Sequence, residues 1–327
     1  MRPSLGLAAL LAAASLLAGA CSSGEGDGAG SSSGSGEALA SPVTVEHRFG
    51  TTTIKEVPKR IVTIDLQWTD VMLAMGVEPV AYSVDSLMPE SGPPWQELPG
   101  GAKALALDDG VPVEQILALE PDLVLSTYSL NDEETYSLLA NRVPTIVGPK
   151  DETQVTPWQD LVRTAGKFLD RSDRAEEVIG SVDEKVTAAA TEFTGLKDRT
   201  FTLAQYIVGE AVYVVADEKD GSSLLFGGLG MRLNPDVLAE GRKTGDTRVN
   251  VGTERADLLR ADLLVFLVNG GDESDLADIP GFADLPGTVA LLDYPTVVGL
   301  NTPSPLSIPY VLDELRPKLA EASGGGA

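Results

Sequence analysis

From residue 43 onward, short apolar runs of strand length alternate with stretches whose apolar positions recur at helical spacing. Residues 43–54 place β-forming side chains around a turn and predict an opening hairpin. Residues 60–64 form a short apolar run suited to a buried parallel strand. A helix follows, with Val71, Leu73, Ala74 and Met75 apolar and Gly76 closing it. The same rhythm predicts strands over 77–82, 122–126 and 145–147, and helices over 113–120 and 132–141. Such alternation argues for a parallel sheet covered by helices, the α/β class.

The rhythm breaks over 173–195. Apolar residues there fall at Ala175, Val178, Ile179, Val182, Val186, Ala189, Ala190 and Phe193, one face of a helix of about six turns. Ser172 or Asp173 can cap its start. Beyond it the α/β pattern resumes, with strands over 200–207, 211–215, 262–268 and 288–292. A helix starts at Leu224, and a closing helix runs over 305–319. The chain therefore divides into an N-terminal lobe (43–156), a linker and bridging helix (157–196), a C-terminal lobe (197–322) and a short tail (323–327).

The first 42 residues belong to neither lobe. Residues 1–20 have the basic start, apolar middle and small-residue end of a secretory signal, and the apolar stretch is too short to span a bilayer. The single cysteine, Cys21, follows at once. Residues 21–42 are rich in Gly, Ser and Ala, cannot bury apolar surface, and read as a flexible tether.

Composition narrows the function. The 327 residues include 49 Asp and Glu against 24 Lys and Arg, a formal net charge of −25, which argues against nucleic-acid binding because no basic patch is available to neutralise phosphates. With one His and one Cys, no disulfide can form within the chain, and a metal site built from protein ligands is not expected. Aromatic residues make up only 5%, so Trp and Tyr near strand ends stand out.

Several segments resemble those of the substrate-binding lipoproteins of ABC importers for ferric siderophores, cobalamin and haem. They are residues 47–54 (HRFGTTTI), 58–62 (PKRIV), 76–80 (GVEPV) and 113–124 (VEQILALEPDLV). The series continues with Tyr136 before 143–145 (VPT), Thr253-Glu254 before 258–262 (LLRAD), and 303–310 (PSPLSIPY). Order and spacing carry the likeness over residues 43–319, and the opening hairpin favours the siderophore branch. The run from Leu16 to Cys21 likewise resembles a bacterial lipoprotein box, with Ala18 where that family usually has Leu. The resemblance implies two Rossmann-like α/β lobes joined by a single long rigid helix, with the ligand cleft between the lobes. It implies a non-enzymatic monomer anchored through lipidated Cys21 to the outer face of the cell membrane, passing a ferric siderophore to a permease dimer. It also implies that Glu114 and Glu254, at matching helix starts in the two lobes, dock on the permease subunits. A helix-start acid favoured by the dipole is the plainer account of both.

In open α/β sheets ligands sit beyond the C-terminal ends of strands. That rule selects Trp68, Tyr82, Trp95 and Tyr128 in the first lobe, and Tyr206, Arg248 and Thr302 in the second. Aromatic faces suit a large chelate, and Arg248 can pair with a chelating oxygen. A siderophore brings its iron already saturated, so no cofactor or protein metal ligand is required. Haem, the alternative within the family beside cobalamin, needs an axial residue such as Tyr82, Tyr128 or Tyr206. His47 lies in the hairpin, away from the expected cleft. An extracellular enzyme using paired carboxylates is a further reading, but no pair is singled out by spacing. Residues 227–230 (GGLG) lack the ending of a phosphate loop and read as a helix end.

Overall fold

The computed structural model describes residues 37–150, 156–269 and 271–324; Cys21 and the signal lie outside them. An antiparallel hairpin, β1 (Ala38–His47) and β2 (Gly50–Glu56), opens the described chain, its strands meeting at His47 and Gly50. β1 starts inside the stretch read as a tether. His47 is buried beneath the hairpin. The Phe49 amide donates to its Nδ1, which leaves the ring proton on Nε2 facing the Thr52 hydroxyl at 3.0 Å. Thr52 in turn donates to the Thr145 carbonyl at 2.7 Å and ties the hairpin to the first lobe.

The first lobe follows as β3 (Ile61–Thr63), α1 (Leu66–Ala74), β4 (Ala81–Val84), β5 (Lys103–Ala106), α2 (Val113–Leu117), β6 (Leu123–Leu125), α3 (Glu133–Ala140) and β7 (Thr145–Ile146). Its sheet has the order β5-β4-β3-β6-β7, and all its pairings are parallel. The strand expected over 77–82 begins only at Ala81. Residues 77–80 instead bring the chain back from α1, with the Val80 amide on the Ile61 carbonyl.

Two helices lead out of this lobe, α4 (Trp158–Phe168) and α5 (Ser172–Glu192). The 21 residues of α5 span about 32 Å at 1.5 Å per residue. Ala175, Val178, Ile179 and Val182 enter the core of the first lobe. One to two turns later Val186, Ala189 and Ala190 pack into the core of the second. One amphipathic stripe thus serves two cores, which makes the helix a stiff bridge rather than a linker.

The second lobe comprises β8 (Thr200–Ile207), β9 (Ala211–Val215), α6 (Gly221–Gly228), β10 (Arg232–Leu233), α7 (Pro235–Thr244), β11 (Arg248–Asn250), β12 (Leu263–Asn269), β13 (Thr288–Leu291), α8 (Tyr294–Asn301) and α9 (Ser307–Ala322). Its sheet is mixed, unlike the parallel one expected. β10, β8, β12 and β13 pair in parallel, while β9 is antiparallel to both β8 and β11. Only three residues join β8 to β9, with Gly209 at φ +75° in the turn. A parallel crossover needs a dozen or more residues, so this connection forces the reversal.

Candidate ligand-binding cleft

The order of the first sheet changes direction between β3 and β6, and the loops leaving those two strands form one wall. Asp65 ends the first loop and caps α1, accepting from the Trp68 amide at 3.0 Å. Its other oxygen takes the amide and hydroxyl of Thr127, at the end of β6, so one buried carboxylate locks the two loops together. Burial pushes the Asp65 carboxyl up, against the hydrogen bonds from Trp68 and Thr127 that pull it down. Tyr128 is set by this lock. Its hydroxyl accepts from the Leu66 amide at 3.3 Å, while the residue is 46% exposed. Tyr82 leaves the end of β4 beside it, and both line a cavity of about 600 Å³ with Leu66, Ser83, Pro93 and, from α8 of the other lobe, Val298.

The opposite wall is built on β8, β9 and β12. A cavity of about 320 Å³ there is lined by Gln205, Tyr213, Ser222, Arg248, Leu267 and Asn301. Arg248 Nε and Nη2 donate to the two oxygens of Asp220 at 3.0 and 3.1 Å, and Nη2 also reaches Asn301 Oδ1 at 3.0 Å. Asp220 caps α6 through the Ser222 amide as well. Burial raises its carboxyl, but Arg248 and Ser222 outweigh that and hold it below the usual range. A third cavity of about 300 Å³ shares Gln205 and Leu267 with the second and reaches Asn269, Asp272 and Tyr294. Helix α8 contributes to all three cavities, through Val298, Val297 with Asn301, and Tyr294. That helix therefore borders each of them, and the three together are the candidate cleft. Tyr294 closes it on one side, its hydroxyl donating to Asp85 of the first lobe at 2.8 Å.

Below the cleft the lobes meet in a buried junction. Asp70 of α1, fully buried, accepts from Trp95 Nε1 at 2.9 Å, from Gln96 Nε2, and from the Ser304 hydroxyl of the other lobe. Burial drives its carboxyl up to about 7, although all three bonds pull it down. Gln67 Nε2 adds a bond to the Pro303 carbonyl at 2.9 Å. The Trp95 ring lies 5.3 Å from that of Tyr310 and fits so closely on Gly299 that a methyl group there would come within 2.9 Å of it.

The predicted contacts separate accordingly. Tyr82 and Tyr128 share one cavity, and Arg248 faces the other wall. Trp68 does not reach the cleft. α1 starts immediately after Asp65, and the helix turns Trp68 into the core with Val71, Met72 and Met75, where it is 1% exposed. Tyr206 is likewise buried at 1%, since alternation along β8 puts Gln205 and Ile207 on the cleft face and Tyr206 on the opposite one. Trp95 belongs to the junction. Thr302 caps α8, its hydroxyl donating to the Val298 carbonyl at 2.6 Å, and lines none of these cavities. Glu114 and Glu254 are exposed in the first turns of α2 and of a 3-10 helix over Thr253–Leu259, each just before an inner strand, β6 or β12. Sequence reasoning missed Asp70, Ser304, Asp220 and Asp85. Asp70 carried a signal, an acid within the apolar run of α1. The others depend on contacts between distant segments. Among the described residues no group of three or more His, Cys, Asp or Glu is placed to hold a metal ion. A further groove of about 500 Å³ lies between α5 and α6 and shares Leu300 with the second cavity.

A family model described as periplasmic binding protein matches residues 61–277. A curated relative, a probable siderophore-binding lipoprotein of Bacillus subtilis, is 27% identical over 183 residues, which cover 54% of this chain and 54% of that protein. The match thus spans about half of the relative's length. Among solved structures, a periplasmic solute binding protein from Mycobacterium smegmatis is 28% identical and superposes with a TM-score of 0.71, covering 86% of this chain and 99% of that one. A Streptococcus pneumoniae protein in complex with ferrichrome is 23% identical with a TM-score of 0.70, covering 87% and 100%, a likeness of fold.

Proposed function

The chain belongs to the periplasmic binding protein family, and on that premise we propose that it is an extracytoplasmic lipoprotein that captures a ferric siderophore and delivers it to an ABC importer. The reading is carried by the cleft itself. Its main cavity of about 600 Å³ falls within the range of small-molecule sites, and it presents the rings of Tyr82 and Tyr128 at strand ends. The siderophore-binding name of the Bacillus relative supports the same class. In this reading Tyr82 and Tyr128 stack on the chelate and Arg248 offers its remaining N–H groups from the opposite wall. The function is binding and release, not catalysis. Lipidated Cys21 supplies the anchor to the outer face of the membrane.

Haem is less well served. Of its three candidate axial residues Tyr206 is committed to the second core, and the one His, His47, is held in the hairpin. The test is a tryptophan-fluorescence titration with ferric siderophores and with haem. Saturable quenching by a ferric chelate at sub-micromolar concentration is expected, and saturation by haem alone would reassign the site.

Glu114 and Glu254 dock on the two permease subunits in this reading, because both are exposed, charged and equivalently placed in their lobes. Gly252, at φ +64°, leaves room for the Glu254 carboxylate, which lies 2.6 Å from where a methyl group would stand. Glu114→Lys with Glu254→Lys should abolish uptake by cells while leaving chelate affinity unchanged. Normal uptake by the double variant would remove the docking role.

A further inference from the structure

The charges that face the cleft are lopsided. Asp85, Glu90 and Asp108 line the first wall, and Asp272, Glu273 and Asp293 the far end of the second. Among the described lining residues of the three cavities the only Lys or Arg is Arg248. Its charge is already met by Asp220, whose side chain is 10% exposed and takes two of the guanidinium nitrogens. The acids of the rim have no such compensation in their bonds, which come from neutral groups. Asp85 accepts from the Tyr294 hydroxyl, Asp108 from Ser86, Asp272 from Ser274 and Asp293 from the Thr296 amide. The Ser274 bonds also hold Asp272 below the ordinary carboxylate range, so it stays ionised at neutral pH.

Resting on the reading of this cleft as a ferric-chelate site, we infer that the chelate it takes carries no net negative charge: a neutral or cationic trihydroxamate rather than an anionic catecholate or carboxylate complex. A trianion entering between the two acidic rims meets repulsion from both walls, with the one guanidinium already neutralised. A cationic complex gains from the same field, and its ammonium group can rest on the face of Tyr82 or Tyr128. A neutral complex escapes the field and relies on the aromatic surface. Because the acids are exposed, the discrimination is partly screened and weakens with salt.

The test is a titration of the mature protein with four probes at low and at high salt: ferric desferrioxamine B (cationic), ferrichrome (neutral), ferric enterobactin (trianionic) and ferric citrate. The two hydroxamates should bind at least about tenfold more tightly than the trianion at low salt. For the cationic probe the margin should shrink at high salt. Glu90→Gln with Glu273→Gln removes two rim charges that cap no helix, and should lower the cation-to-trianion affinity ratio severalfold with an unchanged melting curve. Tighter binding of enterobactin or citrate complexes than of either hydroxamate would overturn the inference and leave the ferric-chelate reading standing, as would a ratio unmoved by the double variant. Failure of all four probes to bind would overturn both.

Discussion

Asp70 and Asp85 both reach from the first lobe to the second, one in the buried junction and one at the rim of the cleft. Asp70 is sealed from solvent and accepts three hydrogen bonds, one of them from Ser304 across the boundary. Asp85 is exposed and crosses through one bond, from Tyr294 at 2.8 Å. The buried contact is surrounded by packing that cannot slide, with Trp95 held between Tyr310 and Gly299. The rim contact can exchange its partner for water at little cost. On the proposed reading the first serves as a fixed pivot beside the bridging helix, and the second as a strap at the edge of the cleft. Closure of such a molecule is expected to be a small rotation about the junction.

The largest effects should come from breaking the pivot. Trp95→Ala removes a half-buried ring and one donor to Asp70, and should cost about 2–4 kcal/mol in urea unfolding. Ser304→Ala removes the donor from the other lobe together with the oxygen that accepts the Leu306 and Ser307 amides at the start of α9, and should cost about 2 kcal/mol. A loss below about 0.5 kcal/mol in either variant would mean that the Asp70 junction contributes little to holding the lobes together.

The pivot also predicts a pH signature of definite sign. The folded carboxyl of Asp70 titrates at about 7, against 3.8 ordinarily. Between those values the folded protein holds a proton that the unfolded chain has lost. The stability this contributes is complete at acid pH and is lost as pH rises, by up to about 1.4 kcal/mol per pH unit, until about pH 7. His47 acts in the opposite sense. Burial lowers its pKa, so its contribution is present above the ordinary value of 6.5 and is lost as pH falls. Asp70→Asn should remove its own share of the first trend and leave the second, seen as a shallower decline between pH 4 and 7, the remainder belonging to Asp65, whose carboxyl burial also raises. A decline as steep in the Asn variant as in the parent would place the responsible carboxyl elsewhere.

Most of the scaffold was legible in sequence, and the cleft less so, for physical reasons. The apolar runs of β3, β6, β8 and β12 announce inner strands because both faces of each are covered, and the stripe of α5 keeps helical spacing through two cores. The reversal of β9 was missed, although the three-residue connection through Gly209 carried its signal. Trp68 and Tyr206 misled because their exposure depends on offsets of a residue or two. For Trp68 the offset is where α1 begins, and for Tyr206 it is which face of β8 meets the cleft. The pivot joins residues 234 positions apart in sequence, so nothing near Asp70 names Ser304 as its partner. Asp220 shows the same limit: as a helix cap it is predictable, but its hold on Arg248 is not.

The smallest effect, and the sharpest test of the comparison, lies at the strap. Burial and the neighbouring Asp85 push the Tyr294 phenol up to about 12, so its proton stays in place through the neutral range and the bond itself should not respond to pH there. Tyr294→Phe removes that one hydrogen bond from a partly exposed site, and should cost no more than about 1 kcal/mol of stability. A bias of about 0.8 kcal/mol between closed and open forms is worth about fourfold in their ratio. Chelate affinity in Tyr294→Phe should therefore move by no more than that. Asp85→Asn keeps an acceptor oxygen and should move it less on this account, apart from the charge it removes from the rim. Combining Tyr294→Phe with Ser304→Ala gives the decisive cycle. If strap and pivot act independently, as their separation by solvent and by burial suggests, their stability costs add within about 0.5 kcal/mol. A larger coupling would mean that the two contacts form a single latch, and that releasing the rim loosens the junction beneath it.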